Sequence, residues 1–184
     1  MGRCQKVTIF VFLTFLLLPP LQIASAERGP AAGLREAARY GKEGQLDFAF
    51  LELRDLLREH PEGPHVLEVE FAIGEYYFLQ RNLLEAKRAF LDCLSKIQFD
   101  SIPRLLCQIY LLKCEEKGTS SEMSHRLLAQ LKQELSSNKF FKAFDEKQTR
   151  SWESALGTLY TLNEFVNRLE ILQNGQTFYT VTLP

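Results

Sequence analysis

The sequence is short of the residues that mark several classes of protein. It has four cysteines in 184 residues, too few for a scaffold built on disulfides. Lys and Arg number 22 against 23 Asp and Glu, so the basic excess typical of nucleic-acid binders is missing and no nucleic-acid partner is expected. The apolar share of 46% is too high for a disordered chain. The composition predicts one folded domain, or one domain with a small appendage.

Long apolar runs are scarce, and the longest lies near the start of the chain. Residues 7–18 follow a basic start with Arg3 and Lys6 and precede a small-residue cleavage site that ends at Ala26. This order is typical of a secretory signal peptide, and the alternative of an uncleaved anchor is disfavoured because a spanning helix needs roughly 20 apolar residues. We predict that residues 1–26 are removed, leaving a soluble periplasmic or extracellular protein that meets a membrane only during export.

Three cysteines would remain in the exported chain, namely Cys93, Cys107 and Cys114. An odd number leaves at least one thiol free or paired between chains. On one helix, Cys107 and Cys114 would be two turns apart, roughly 10 Å, which is too far for a disulfide. The spacing leaves two alternatives: Cys93 pairs with one of the other two across packed helices, or all three are buried thiols.

Residues 31–137 carry apolar side chains at the three- and four-residue spacing of amphipathic helices. Turn and loop signals separate the runs at Gly44, 61–64, 81–82, 100–103 and 118–121. The runs repeat with a period of 37 residues, so that Gly44 corresponds to Arg81 and Ala37 to Gly74. A period of this size is typical of stacked helix-turn-helix units.

The first two units resemble the tetratricopeptide repeat family. Residues 30–61 match its pattern with Ala37, Tyr40, Gly44, Ala49, Leu53, Leu56 and Pro61, and residues 67–100 match with Gly74, Tyr77, Ala86, Phe90 and Cys93. The third unit keeps the turn but loses the pattern after Leu127, as a capping unit does. The resemblance implies a mainly α fold, with a short helix-turn-helix solenoid over residues 27–138.

The same resemblance implies a function in protein–protein interaction rather than catalysis. Exported bacterial proteins of this family resemble adaptors in envelope assembly or cell division, so we expect a scaffold whose partner is a protein or a peptide segment. In the family, partners bind a concave face lined by the first helix of each hairpin. The corresponding residues here are Glu68, Phe71, Glu75, Phe78, Leu79, Gln108, Leu112 and Glu115. Alternatively, Phe71 and Phe78 pack against the adjacent repeat.

Residues 139–184 change character and predict a small β-rich module. Asn174-Gly175 is the preferred dipeptide of a two-residue hairpin turn, and the residues around it favour strands. Residues 140–144 and 149–154 are further candidate strands, whereas residues 156–167 fit either a helix or a strand. The competing interpretation is a helix through 152–172 followed by a disordered tail. We expect the module to dock on the last helices and to cover the open end of the solenoid.

The hairpin turn also predicts a strand register. If Gln173 pairs with Gln176, Ile171 is expected opposite Phe178, and Leu169 opposite Thr180 on the same face.

Motifs for catalysis, metal binding or cofactor binding are missing. The three histidines lack metal-ligand spacing, and neither a C-x-x-C, a nucleophile elbow nor a phosphate-binding loop occurs. Glu68, Glu70, Glu75 and Glu85 look like solvated helix faces. We therefore predict no catalytic residues, no metal and no cofactor. The alternative function is binding of a small ligand or glycan by the β module, suggested by its aromatic residues Trp152, Tyr160, Phe178 and Tyr179.

Overall fold

The computed structural model describes residues 29–97, 101–116, 121–137, 148–165 and 167–182. The predicted signal peptide and the candidate strand at 140–144 lie outside these residues. The helices are α1 (Pro30–Lys42), α2 (Leu46–Glu59), α3 (His65–Leu79), α4 (Leu83–Lys96), α5 (Ile102–Glu116) and α6 (Ser121–Ser137). The strands are β1 (Gln148–Glu153), β2 (Leu159–Phe165), β3 (Arg168–Gln173) and β4 (Gln176–Thr182). The prediction of a mainly helical chain with a β-rich C-terminal part is confirmed.

The helices pack as consecutive antiparallel hairpins, and the turns of the first two hairpins are alike. Gly44 and Arg81 both take a left-handed conformation, with φ of 75° and 60°. In the first turn the Gln45 N–H donates to the Tyr40 carbonyl at 2.8 Å, and in the second the Asn82 N–H donates to the Tyr77 carbonyl at 2.9 Å. These bonds are typical of the Schellman motif that ends helices. The 37-residue period of the sequence is thus present in the backbone geometry of these turns.

Small residues allow the two helices of a hairpin to approach closely. A Cβ atom on Gly74 of α3 would lie 2.7 Å from the ring of Phe90 on α4. Phe90 and Ala86 are fully buried in the same contact region. The small side chain at Gly74 thus leaves the space that the Phe90 ring fills.

The strands form an antiparallel sheet in the order β1-β2-β3-β4. Asn174 and Gly175 have positive φ angles of 49° and 80°, and Gln173 pairs with Gln176, so the predicted hairpin turn is confirmed. Residues 159–165, which fitted either element, form a strand, and the helix through 152–172 is wrong.

The predicted register beyond the turn is wrong because an irregularity lies between Ile171 and Leu172. Ile171 pairs with Tyr179 instead of Phe178, and Leu169 pairs with Val181 instead of Thr180. A bulge adds one residue to one strand and shifts every later pair. The shift places the apolar Val181, rather than a threonine, beside the buried Leu169.

The core runs from the helices into the sheet in two clusters. The larger cluster joins helices α3 to α6 to buried sheet residues that include Leu162, Leu169 and Ile171. The smaller cluster joins α1, α2 and α3 to Ala155 and Leu156 of the β1–β2 loop. The prediction that the module docks on the last helices is therefore incomplete, because the β module also contacts α1, α2 and α3 through the β1–β2 loop.

The three cysteines are buried thiols that no disulfide links, so that alternative is the correct one. Cys93 donates its thiol proton to the Leu67 carbonyl at 3.6 Å. Burial raises the pKa of the Cys107 thiol well above its usual range. None of the helices in the described ranges combines the length and the apolar character that crossing a bilayer requires.

Candidate functional site

The sheet covers part of the predicted concave face. Of its eight residues, Phe71, Glu75, Phe78 and Leu112 are buried, Glu68, Gln108 and Glu115 are half-buried, and Leu79 is 45% exposed. The ring of Phe71 lies edge-on to Trp152 of β1 at 5.0 Å, and Phe78 lies edge-on to Tyr110 at the same distance. In this conformation the buried members contact residues of their own chain. That the set binds a partner stays a prediction.

The first helix of each hairpin holds a different part of the sheet or its loop. Lys42 at the end of α1 pairs with Glu153 of β1 at 2.7 Å. On α5, Lys113 donates to the Phe178 carbonyl at 3.1 Å, and Tyr179 of β4 donates to Glu116 at 3.0 Å. Together with the Phe71–Trp152 contact on α3, these bonds fix both outer strands to the helices.

The β1–β2 loop touches the backbone of α1 where two glycines face it. A Cβ atom on Gly41 would lie 1.9 Å from the Leu156 carbonyl oxygen, and one on Gly157 would lie 2.6 Å from the Ala38 carbonyl oxygen. Gly157 also has a φ of 77°, which favours glycine. Backbone contact of this kind leaves no room for a side chain at either position.

A buried polar network lies between α3, α5 and the sheet, with Glu75 at its centre. Glu75 is fully buried, and the hydroxyls of Tyr160 and Tyr110 lie within hydrogen-bonding distance of its Oε1 and of each other. Each hydroxyl has one proton, so two of these three hydrogen bonds exist at a time. Gln173 of β3 donates its Nε2 protons to Tyr110 at 3.1 Å and to Tyr160 at 3.4 Å. The network therefore joins two helices to two strands.

Burial raises the pKa of Glu75 to about 7, since the surroundings desolvate the ionised carboxylate. The nearby hydroxyls of Ser154, Tyr160, Thr158 and Tyr110 lower it again, but by less. Among the described residues, no group makes a hydrogen bond of good geometry to Oε2. An ionised Glu75 would thus keep one oxygen unsatisfied in the core, which is costly.

Two causes raise the pKa of Tyr110 and Tyr160 well above the usual range of a phenol. The larger cause is desolvation by burial, and the second is the charge of Glu75. Both hydroxyls therefore keep their protons and remain hydrogen-bond donors around neutral pH.

The interpretation of Glu75 as part of a solvated helix face is wrong. Helix α3 carries buried side chains around most of its circumference, from Val69 to Phe78. A helix that is apolar on all sides is buried, and a lone carboxylate within one needs partners. The apolar run from Val69 to Phe78 is the feature of the sequence that indicates a buried Glu75.

A cleft of about 520 Å³ opens beside this network. It lies where the α1–α2 turn, the end of α3, the β1–β2 loop and the β3–β4 turn meet. Its lining consists of Gly41, Lys42, Leu46, Leu79, Leu156, Gly157, Thr158, Gln173, Asn174 and Gln176. Thr158 and Gln173 belong both to the cleft wall and to the surroundings of Glu75, so one layer of side chains separates the cleft from the carboxyl.

The described part of the chain holds no cluster of three or more His, Cys, Asp or Glu side chains that could bind a metal ion. No protein-family model matches the sequence, and neither curated proteins nor solved structures gave a match.

Proposed function

We propose that this chain is a non-enzymatic protein-interaction module of the tetratricopeptide type, exported to the periplasm or the cell exterior. The proposal is supported by the consecutive helical hairpins and by the contacts that their first helices, α1, α3 and α5, make with the strands. The partner is a protein or peptide segment, as the resemblance of the sequence implies. A place in bacterial envelope assembly rests on that resemblance and on the signal peptide predicted for residues 1–26.

One observation carries the proposal: α5 holds β4 by contacts of the kind used to bind a peptide segment. The ammonium group of Lys113 donates to the Phe178 carbonyl and lies 4.5 Å from the centre of its ring. Glu116 accepts the hydroxyl proton of the next residue, Tyr179. Helix α5 thus contacts a backbone carbonyl, an aromatic ring and a hydroxyl group of β4. The face is occupied by the chain's own strand, and a partner segment with an aromatic pair would compete with it.

A peptide corresponding to residues 175–182 tests this proposal. In a chain that carries Phe178→Ala and Tyr179→Ala, the weakened strand leaves α5 available, and we expect a fluorescein-labelled peptide to bind saturably. The unaltered chain is expected to bind it at least about tenfold more weakly, because its own strand competes at high effective concentration. Adding Lys113→Met to the double variant should lower the affinity again, which separates binding to α5 from strand pairing with β3.

Circular dichroism shows whether the helices of each variant are intact, and a scrambled peptide is the control for non-specific binding. Failure of the peptide to bind an intact double variant would contradict the proposal. Equal binding with and without Lys113 would also contradict it.

A second candidate function is binding of a small ligand or glycan. The specific observation that favours it is the cleft beside Gln173, which is bordered on one side by the β module.

A further inference from the structure

The walls of the cleft are fixed by contacts that exist without a ligand. At the β3–β4 turn, the Asn174 N–H donates to the Leu159 carbonyl at 2.8 Å, and the Leu159 N–H donates to Asn174 Oδ1 at 2.9 Å. On the opposite side, Gly41 and Leu156 are in backbone contact. A site with such fixed walls binds without a large cost in ordering.

Side-chain amides supply the unused hydrogen-bonding groups of the lining. Gln173 is held by its Nε2 donors, which leaves Oε1 as an acceptor. Asn174 uses Oδ1, which leaves its Nδ2 donors. Gln176 is exposed, and its side chain makes no hydrogen bond to any described residue. These three residues lie in the hairpin turn or directly beside it, so both donors and acceptors lie along one edge of the cleft.

The charge of the lining does not favour an ion. Its single charged residue is Lys42, which already pairs with Glu153 at 2.7 Å. Among the described residues, the lining includes neither a carboxylate that would attract a cation nor an aromatic ring that would stack on a nucleobase. The apolar side chains that the lining exposes are those of Leu46 and Leu79, since the side chain of Leu156 is buried in the smaller core cluster.

We propose that this cleft binds a neutral, hydroxyl-rich ligand of the sugar class, a site that is independent of segment binding at α5. A vicinal pair of hydroxyls donates and accepts hydrogen bonds at adjacent positions, which matches the C=O and N–H₂ groups of a carboxamide. The C–H face of a pyranose ring packs against leucine side chains of the opposite wall. The cleft volume of about 520 Å³ lies within the range of small-ligand sites.

Nuclear magnetic resonance of the ¹⁵N-labelled protein tests the proposal through the side-chain amide signals of Gln173, Asn174 and Gln176. The probes are cellobiose, maltose and N,N′-diacetylchitobiose at millimolar concentration, with glucuronate as a charged comparison and acetyl-glycyl-glutamine amide as a peptide comparison. We expect at least one neutral disaccharide to shift these signals saturably. Absence of any shift with all three disaccharides overturns the proposal. A shift caused by the peptide or by glucuronate alone overturns the assignment to sugars.

Matched variants locate the binding in the cleft. Gln176→Ala removes a side chain without a protein partner and should weaken binding about fivefold, the effect of one hydrogen bond. Gln80→Ala, at an exposed glutamine just beyond α3 and outside the lining, should bind like the unaltered protein. Leu79→Trp places a larger side chain at the mouth of the cleft and should abolish binding. Equal affinities of the Gln176→Ala and Gln80→Ala proteins would overturn the proposed location.

Discussion

Tyr160 of β2 donates its hydroxyl proton to the carboxyl of Glu75 on α3, inside the interface between the helices and the sheet. Both residues are fully buried, and no described residue makes a hydrogen bond of good geometry to the second oxygen of Glu75. The stability of the contact between sheet and helices therefore depends on whether Glu75 is protonated. The direction of this dependence can be measured.

Replacement of Glu75 by glutamine tests this link through the pH dependence of stability. The pKa of Glu75 is about 7 in the folded protein and near its usual 4.5 in the unfolded chain. Between these values the unfolded chain releases a proton that the folded protein keeps, so the free energy of unfolding falls as pH rises, by about 3 kcal/mol in total. Because glutamine does not titrate, Glu75→Gln should remove this fall in the free energy of unfolding. Urea unfolding at several pH values measures it.

The variant is therefore expected to be more stable than the unaltered protein at about pH 8, but not at about pH 5. Glu62→Gln, in the exposed loop between α2 and α3, is the control and should keep the full pH dependence. If the Glu75→Gln protein showed the same slope as the control, the carboxyl would not be the titrating group.

Alanine at Gly41 should separate the β1–β2 loop from α1. The added Cβ would lie 1.9 Å from the Leu156 carbonyl oxygen, and backbone on both sides limits relaxation. We expect a loss of about 2 kcal/mol or more in the free energy of unfolding, by denaturant titration. Gly29→Ala is the matched control, since no atom lies within 4 Å of its Cβ position. Equal stability of the two variants would show that the loop moves away freely.

Glycine at Arg81 should stabilise the protein. Arg81 has a φ of 60° at the turn between α3 and α4, a conformation that costs a residue with a side chain about 1 kcal/mol. Arg81→Gly is expected to raise the free energy of unfolding by about this amount. The same change within α4, Arg88→Gly, should lower it by about 1 kcal/mol. A stability change of the same sign in both variants would contradict the role assigned to the turn.

The three buried thiols should resist modification in the folded protein. Burial and the raised pKa of Cys107 leave little accessible thiolate. We expect no iodoacetamide labelling of Cys93, Cys107 or Cys114 until the protein unfolds, as measured by mass spectrometry of peptides. An added exposed thiol, Gln80→Cys, serves as the positive control. Labelling of any buried cysteine at the rate of that control would contradict the structure.

Features that depend on neighbouring residues could be predicted from the sequence. The turns at Gly44 and Asn174-Gly175 need positive φ, and residues that tolerate it stand there. The close approach of α3 and α4 follows from a small residue, Gly74, placed opposite Phe90.

Features that depend on distant contacts could not be predicted in this way. The bulge beside Ile171 depends on which residues of β4 face the core, which local strand propensity does not determine. The apolar run of α3 predicts that Glu75 is buried, but not its hydrogen-bond partners, because Tyr110 and Tyr160 lie far along the chain. The cleft combines three loops and a helix end, so no local motif marks it.

The contact between Gly41 and Leu156 also constrains the order of folding. During synthesis α1 emerges early, while the loop that covers its backbone emerges only after all six described helices. The core of the first hairpin therefore stays incomplete until Ala155 and Leu156 arrive. Contacts between such distant parts of a chain form slowly and leave apolar surface uncovered in the meantime. A nascent chain stalled before residue 155 would thus be a natural substrate for chaperones and proteases.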